Sequence, residues 1–237
     1  MKSIKKHLIN TRTFFLNLFK KGEGIDESKM KWNALAQKDA AYYIMTDKSK
    51  SASDADFRVS GKQDVQKLFL NDEIVREIIG YDTKAVVLEI GCGTGRLSES
   101  IAPHVHTLYA VDISEEMISR ARERLPALDN VTFLATDGMS FPLADETVDT
   151  VFSYIVFQHM PSVEVIQKNI EGINRILKVG GIAKIQLRGI PTSKDSWFYG
   201  PSFNISAVQS LIQGTSLSIV KSEGENQKCF WVWLKKT

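Results

Sequence analysis

The chain has 237 residues, of which 43% are hydrophobic and 24% charged, and its net charge is +2. That balance suits one sizeable α/β core and excludes wholesale disorder or a fibrous repeat. Its cysteines, Cys92 and Cys229, are far apart in sequence, with no CxxC pair or Cys/His cluster, which argues against a disulfide framework and against zinc.

The charge is unevenly spread. Residues 1–21 carry Lys2, Lys5, Lys6, Arg12, Lys20 and Lys21 and no acid, so the remainder of the chain is mildly acidic. An acidic body is a poor match for a phosphate backbone, and nucleic acid is not expected as the partner. Within the tail, Ile4, Leu8, Thr11, Phe15, Leu18 and Phe19 fall near one helical face. Two readings are open for residues 1–21: a self-packed amphipathic helix, or a peripheral contact with a membrane or a protein. The apolar stretch Phe14–Phe19 is too short to span a bilayer, and Lys20 and Lys21 stand where a signal peptide would be cleaved. A cytoplasmic location is the expectation.

Trp32, Leu35, Ala36, Ala40 and Tyr43 recur at helical spacing, and a polar loop is predicted from Thr46 to Asp56. Residues 1–56 are read as an N-terminal helical cap and residues 57–237 as the main domain. A helix is predicted from Asp64 to Ile79, ended by Gly80. Apolar β-type runs then alternate with helical patterns, the sign of βαβ units and a largely parallel sheet. Strands are expected at Ala85–Ile90, Thr107–Val111, Val131–Ala135, Val148–Ile155 and Ile182–Leu187. Helices are expected at Thr94–Ala102, at Glu115–Leu125 with Ser114 as N-cap, and at Val163–Leu177 with a stop at Gly180-Gly181. A helix over Phe203–Gln213 and strands at Leu217–Lys221 and Cys229–Leu234 close the chain, the last strand inserted antiparallel. His104 and His106 would share a strand face, but no third metal ligand has a recognisable spacing.

The chemistry concentrates after the first strand, in Glu89-Ile90-Gly91-Cys92-Gly93-Thr94-Gly95. Glycines there permit a tight turn and let backbone amides approach a ligand at a helix N-terminus. Asp112, ending the second strand, can accept both hydroxyls of a ribose. A dinucleotide fingerprint would need glycine at position 96, where this chain has Arg96. The turn, Val111-Asp112-Ile113, Ala135-Thr136-Asp137-Gly138 and Leu177-Lys178-Val179-Gly180-Gly181 together resemble the class I S-adenosylmethionine-dependent methyltransferases, over about Lys84 to Leu187.

The resemblance implies a three-layer Rossmann-like α/β fold, with a seven-stranded, mostly parallel sheet and an antiparallel last strand. It implies S-adenosyl-L-methionine as cofactor and a methyl acceptor as partner. By that likeness the backbone of Gly91 and Gly93 would hold the methionine part, with Cys92 and Gly95 in the same turn. Asp112 would take the ribose and Asp137 the adenine amino group. Ile113 and Met139 would offer apolar surface to the adenine ring, and Met117, Gly138 and Ser153 would also be among the cofactor-binding residues. Glu89 would brace the glycine loop, and Arg58, within Phe57–Gly61, could reach the methionine carboxylate. Each has a plainer reading: Asp137-Gly138 as a turn, Ile113 and Met139 as core, Arg58 as a solvated arginine.

Methyl transfer from a sulfonium needs little beyond positioning and removal of a proton. Two segments lie beyond the carboxyl ends of strands four and five, where such sheets bind ligands. One is Ser153–Pro161, in which His159 is either a general base or a loop support, with Tyr154 and Gln158 toward the acceptor. It lacks the Pro-Pro-aromatic pattern of adenine-N6 DNA methyltransferases. The other is Arg188–Phe203, with Arg188, Trp197 and Tyr199 as acceptor-facing candidates in an aromatic loop. The expected function is methylation of a small-molecule acceptor, with no metal. The alternatives are a non-catalytic cofactor-binding domain and a methyltransferase for RNA or protein.

Overall fold

The computed structural model describes residues 24–44, 53–80, 84–191 and 198–237. The basic tail and Trp197 lie outside the described residues. Seven strands form one sheet: β1 (Val86–Ile90), β2 (Thr107–Asp112), β3 (Val131–Ala135), β4 (Val148–Ser153), β5 (Leu177–Leu187), β6 (Leu217–Glu223) and β7 (Phe230–Lys236). Their order is β3-β2-β1-β4-β5-β7-β6. The first five run parallel, and β7 enters antiparallel between β5 and β6. The sheet reverses its strand order beside β1, between β2 and β4, which is where open α/β sheets form a ligand crevice.

Helices are α1 (Ile25–Ile44), α2 (Asp54–Val65), α3 (Glu73–Ile79), α4 (Ser98–Ile101), α5 (Glu115–Arg124), α6 (Val163–Ile176) and α7 (Ile205–Leu211). They cover both faces of the sheet, so central strands are buried on both sides and read as unbroken apolar runs. Leu88 and Ile90 of β1 pack in one core with Ile166, Ile170 and Ile173 of α6. Val87, on the opposite face, packs with Val65, Phe69 and Val75. Ile118 and Ala121 of α5 form a third cluster with Ala110 and Phe133.

Expected and observed elements differ in places with definable causes. The helix expected over Asp64–Ile79 is two: α2 ends in a π-turn at Gln66–Leu70, and α3 restarts at Asp72, whose side chain accepts the Val75 amide at 3.0 Å. A chain with its own N-cap in mid-pattern starts a new helix there. The polar loop expected up to Asp56 ends sooner, because Ser53 and Asp56 form a capping box that starts α2 across the expected boundary at residue 57. Gly180-Gly181 do not stop α6. Leu177 already takes extended angles, and the glycines lie inside β5, beside a register shift opposite Val148 and Thr150. Glycine inside a strand marks a bulge as often as a helix stop. His104 closes a 3-10 turn and does not lie on a strand. Ser114 caps α5 as expected, accepting from the Met117 amide at 3.1 Å. Among the described residues, no helix is long and apolar enough to cross a membrane.

Candidate functional site

Beyond the carboxyl ends of β1, β2, β4 and β5 lies a cavity of about 460 Å³, within the range of small-ligand sites, roughly 300–1,000 Å³. The glycine turn forms one end. Gly91 has φ +75°, and a Cβ there would stand 2.2 Å from the Val156 side chain. Only glycine fits this backbone. Gly93, at φ +55°, borders the cavity, and its amide donates to Asp112 Oδ2 at 2.9 Å. Asp112 Oδ1 accepts the Ser114 amide at 2.8 Å. Burial pushes the Asp112 carboxyl above its ordinary value, against the lowering effect of the amides of Ser114, Gly93 and Ile113. Both oxygens accept backbone amides, and Asp112 lines the cavity.

The turn is clamped from behind. Arg124 donates to the carbonyls of Thr94 at 3.0 Å and Gly95 at 2.6 Å, and pairs with Glu99. Arg96, buried in the cavity wall, pairs with Asp64 of α2 at 2.7 Å. Thus the residue that replaces the third dinucleotide glycine ties the loop to a neighbouring helix. Glu89 accepts from Ser98 Oγ of α4 at 2.5 Å, and burial, only partly offset by that bond, pushes its carboxyl up to about 7.

The other end is made of side chains. Ile155, two residues after β4, sits at φ +57°, a rare and costly state for a β-branched residue. The side chain of Gln186, buried in β5, holds it there by accepting the Ile155 amide at 3.0 Å. The same Gln186 donates to Gln158 Oε1 at 3.2 Å, and Gln158 lies 3.0 Å from His159 Nε2. His159 Nδ1 lies 2.5 Å from the Phe198 carbonyl. A carbonyl can only accept, so Nδ1 carries the proton and Nε2 is the acceptor of the neutral ring. Tyr154 stacks on Trp231 of β7 at 5.4 Å. The described part of the aromatic loop, Phe198–Phe203, lies against this segment, the Gly200 amide bonding to the Gln158 carbonyl at 2.8 Å.

A roof closes the cavity from α1, through Ile25, Ser28, Trp32, Tyr43 and Ile44. Trp32 meets His159 edge-on at 5.7 Å and Phe198 at 5.9 Å. Asn33 accepts from Ser114 Oγ at 2.7 Å, and Ala36 and Ala40 pack on Met117 of α5. The helix is broken at Asp39, whose φ and ψ of −169° and 83° are extended.

Of the residues singled out from sequence, the cavity lining gathers Glu89, Gly91, Cys92, Gly93, Asp112, Ile113, Met117, Gly138, Tyr154, Gln158, His159, Arg188 and Tyr199. Others lie off it. Arg58 is exposed and paired with Asp54 and Glu99. Asp137 is exposed and caps a local turn, accepting the amides of Met139 at 2.8 Å and Ser140 at 2.7 Å. Partial burial raises its carboxyl, but those bonds outweigh it and the net shift is downward. Met139 packs on the core, Gly95 abuts Leu125, and Ser153 ties β4 to the Ile90 carbonyl at 3.1 Å. The lining residues not anticipated as site residues include those of α1, together with Arg96, Lys228 and Cys229. The aromatic face of α1 was visible in the sequence, but not what it would cover.

A methyltransferase-domain family profile matches residues 87–181. An uncharacterised methyltransferase of a Geobacillus species is 32% identical over 102 residues, covering 43% of this chain and 47% of that protein. A malonyl-[acyl-carrier protein] O-methyltransferase of a Marinomonas species is 30% identical over 142 residues, covering 57% of this chain and 50% of that protein. The chain thus spans about half the length of these curated relatives. Among solved structures, a Haemonchus contortus phosphoethanolamine N-methyltransferase, in complex with phosphoethanolamine and S-adenosylhomocysteine, superposes with a TM-score of 0.66 at 17% identity. The superposition covers 90% of this chain and 49% of that one. The profile match over residues 87–181, the glycine turn and the strand order make that segment similar to S-adenosylmethionine-dependent methyltransferase domains.

The cavity accommodates that cofactor. Gly93 leaves a cradle that a Cβ would fill only as far as the Ile44 side chain, 3.3 Å away. Asp112 offers a carboxylate beside it, and Ile113, Met117 and Gly138 supply an apolar flank.

Proposed function

We propose that the protein transfers a methyl group from S-adenosylmethionine to a small-molecule acceptor. One observation carries this reading: a single cavity joins the glycine turn and Asp112 to His159 and its aromatic neighbours, under the roof of α1. A polymer substrate would need a long open groove, whereas a cavity covered in part by α1 suits a compact acceptor. The likeness to a malonyl-[acyl-carrier protein] O-methyltransferase supports a small acceptor group, free or borne on a carrier.

The backbone of Gly91 and Gly93 would hold the methionine part of the cofactor, and Asp112 the ribose hydroxyls. When bound, S-adenosylmethionine supplies a methyl on a positively charged sulfur, which leaves as a neutral thioether. His159 receives the acceptor hydroxyl at Nε2 in place of the Gln158 amide and takes its proton as the oxygen lone pair forms the new C–O bond. The Phe198 carbonyl on Nδ1 fixes the tautomer that leaves Nε2 basic. Gln186 and Gln158 hold the segment, and Trp32 and Phe198 restrict the ring.

Calorimetry with S-adenosylhomocysteine, followed by transfer of labelled methyl across a panel of small hydroxyl, amine and carboxylate acceptors, tests the reading. Cofactor binding with transfer to at least one acceptor supports it. Binding without transfer to any would favour a non-catalytic cofactor-binding domain, and absence of binding would overturn both.

A further inference from the structure

The acceptor end of the cavity contains a buried cation with no counter-ion among the described residues. Arg188, at the end of β5, is only 8% exposed and lines the cavity. Its Nε donates to the Ile190 carbonyl at 2.8 Å, and its guanidinium lies 4.7 Å from the centre of the Tyr199 ring. No described carboxylate pairs with it. The carboxylates that line the cavity, Glu89 near the end of β1 and Asp112 at the end of β2, are engaged by Ser98 and by the amides of Gly93 and Ser114. A second cation, the exposed Lys228, lines the same cavity: Leu187 pairs with Phe230 across the β5–β7 ladder, and the Gly189 amide bonds to the Gln227 carbonyl at 3.0 Å, so the backbone around Lys228 runs alongside that around Arg188.

Buried charges are normally paired, and a guanidinium in a cavity wall whose described hydrogen bond is made by Nε matches a planar or tetrahedral oxyanion. We infer that the acceptor carries an anionic group, a carboxylate or a phosphate, bound by the forked nitrogens of Arg188 with Lys228 as second cation. The inference rests on the proposed function and narrows its substrate class. Tyr199 keeps the guanidinium facing the cavity, and the anion orients the acceptor's nucleophile toward His159.

The test uses shape-matched probes on the full chain, with and without saturating S-adenosylhomocysteine: benzoate and phenyl phosphate against uncharged benzyl alcohol, by calorimetry. The anions should bind about tenfold or more tightly than the alcohol, and whichever anion leads identifies carboxylate or phosphate. Arg188→Met should abolish that preference and leave S-adenosylhomocysteine affinity unchanged, while Lys228→Ala reduces it about two- to threefold. Should Arg188→Met fail to fold, Arg188→Lys, which keeps the charge and loses the fork, should lower the anion preference without removing it. Equal binding of charged and neutral probes, or an anion preference that survives Arg188→Met, overturns the inference. So does a loss of cofactor rather than anion affinity in that variant, which would assign Arg188 to the methionine carboxylate. If wild-type protein does not bind S-adenosylhomocysteine, the proposed function falls separately, and the probe pairs still report whether the cavity selects anions.

Discussion

At the glycine end of the cavity, the ligand-facing groups come from one turn and the tip of the neighbouring strand, and much of what they offer is backbone. At the acceptor end the lining comes from α1, from residues 154–161, from Arg188 and the loop after it, and from Lys228 and Cys229, and it offers side chains. The first end is held by parallel strands and by arginine clamps on carbonyls. The second is held by a chain of side-chain bonds from Gln186 to His159 and by a strained Ile155. A shared cofactor can be met by a fixed backbone device. A particular acceptor calls for side chains that can change without disturbing the sheet.

If the two ends are separable, substitutions should divide cleanly between cofactor affinity and turnover. The largest effect belongs to His159→Ala: as the proposed base, its loss should cut turnover about a hundred- to ten-thousandfold, with S-adenosylhomocysteine affinity within about twofold by calorimetry. A fall in both would show that the histidine supports the whole cavity. Asp112→Ala should act oppositely, weakening S-adenosylhomocysteine about a hundredfold, because ribose bonds are lost and the amides of Gly93 and Ser114 are orphaned.

Glu89 tests the glycine end through stability. Its folded-state value of about 7 lies above the ordinary 4.5, so within that window the folded chain keeps a proton that the unfolded chain releases. Stability from this group is therefore full below the unfolded value and falls as pH rises through the window. Glu89→Gln should remove a loss on the order of 2–3 kcal/mol, seen as a flatter difference between denaturant unfolding at pH 5 and pH 8. The smallest effect is expected for Trp32→Ala, which removes two aromatic contacts and should raise the acceptor KM about tenfold, leaving cofactor affinity nearly unchanged.

The same contrast explains how far the sequence could be read. Gly91, Gly93 and Asp112 follow from local rules: an apolar strand, a turn that needs positive φ, and an acid at the next strand end. The sheet was legible for the same reason, since fully buried strands and an N-cap such as Ser114 leave local marks. Asp137 is singled out because its position matches the family pattern, and in the structure its carboxylate accepts the amides of Met139 and Ser140 within a local turn that no spacing rule reveals. Arg58 and Arg96 are alike in composition, and only tertiary packing sends one to exposed carboxylates and the other into the cavity wall. The role of α1 was illegible because its partners lie more than 80 positions away, at Ser114 and His159.

The roof has a temporal consequence. Its described ties to α5 include an exposed Lys29–Glu115 ion pair, the Asn33–Ser114 hydrogen bond and a small apolar contact on Met117, beside the contacts of Trp32 with His159 and Phe198 and of Ile25 with the core, and the extended joint at Asp39 lies near its far end. Ties of this kind cost far less to undo than a strand of the sheet. A spent cofactor would leave when α1 lifts, so its dwell time would be governed by residues that contact no reacting atom. Variants that loosen Asn33 or Ala36 would then change how often the cavity is emptied, independently of how fast the methyl group moves.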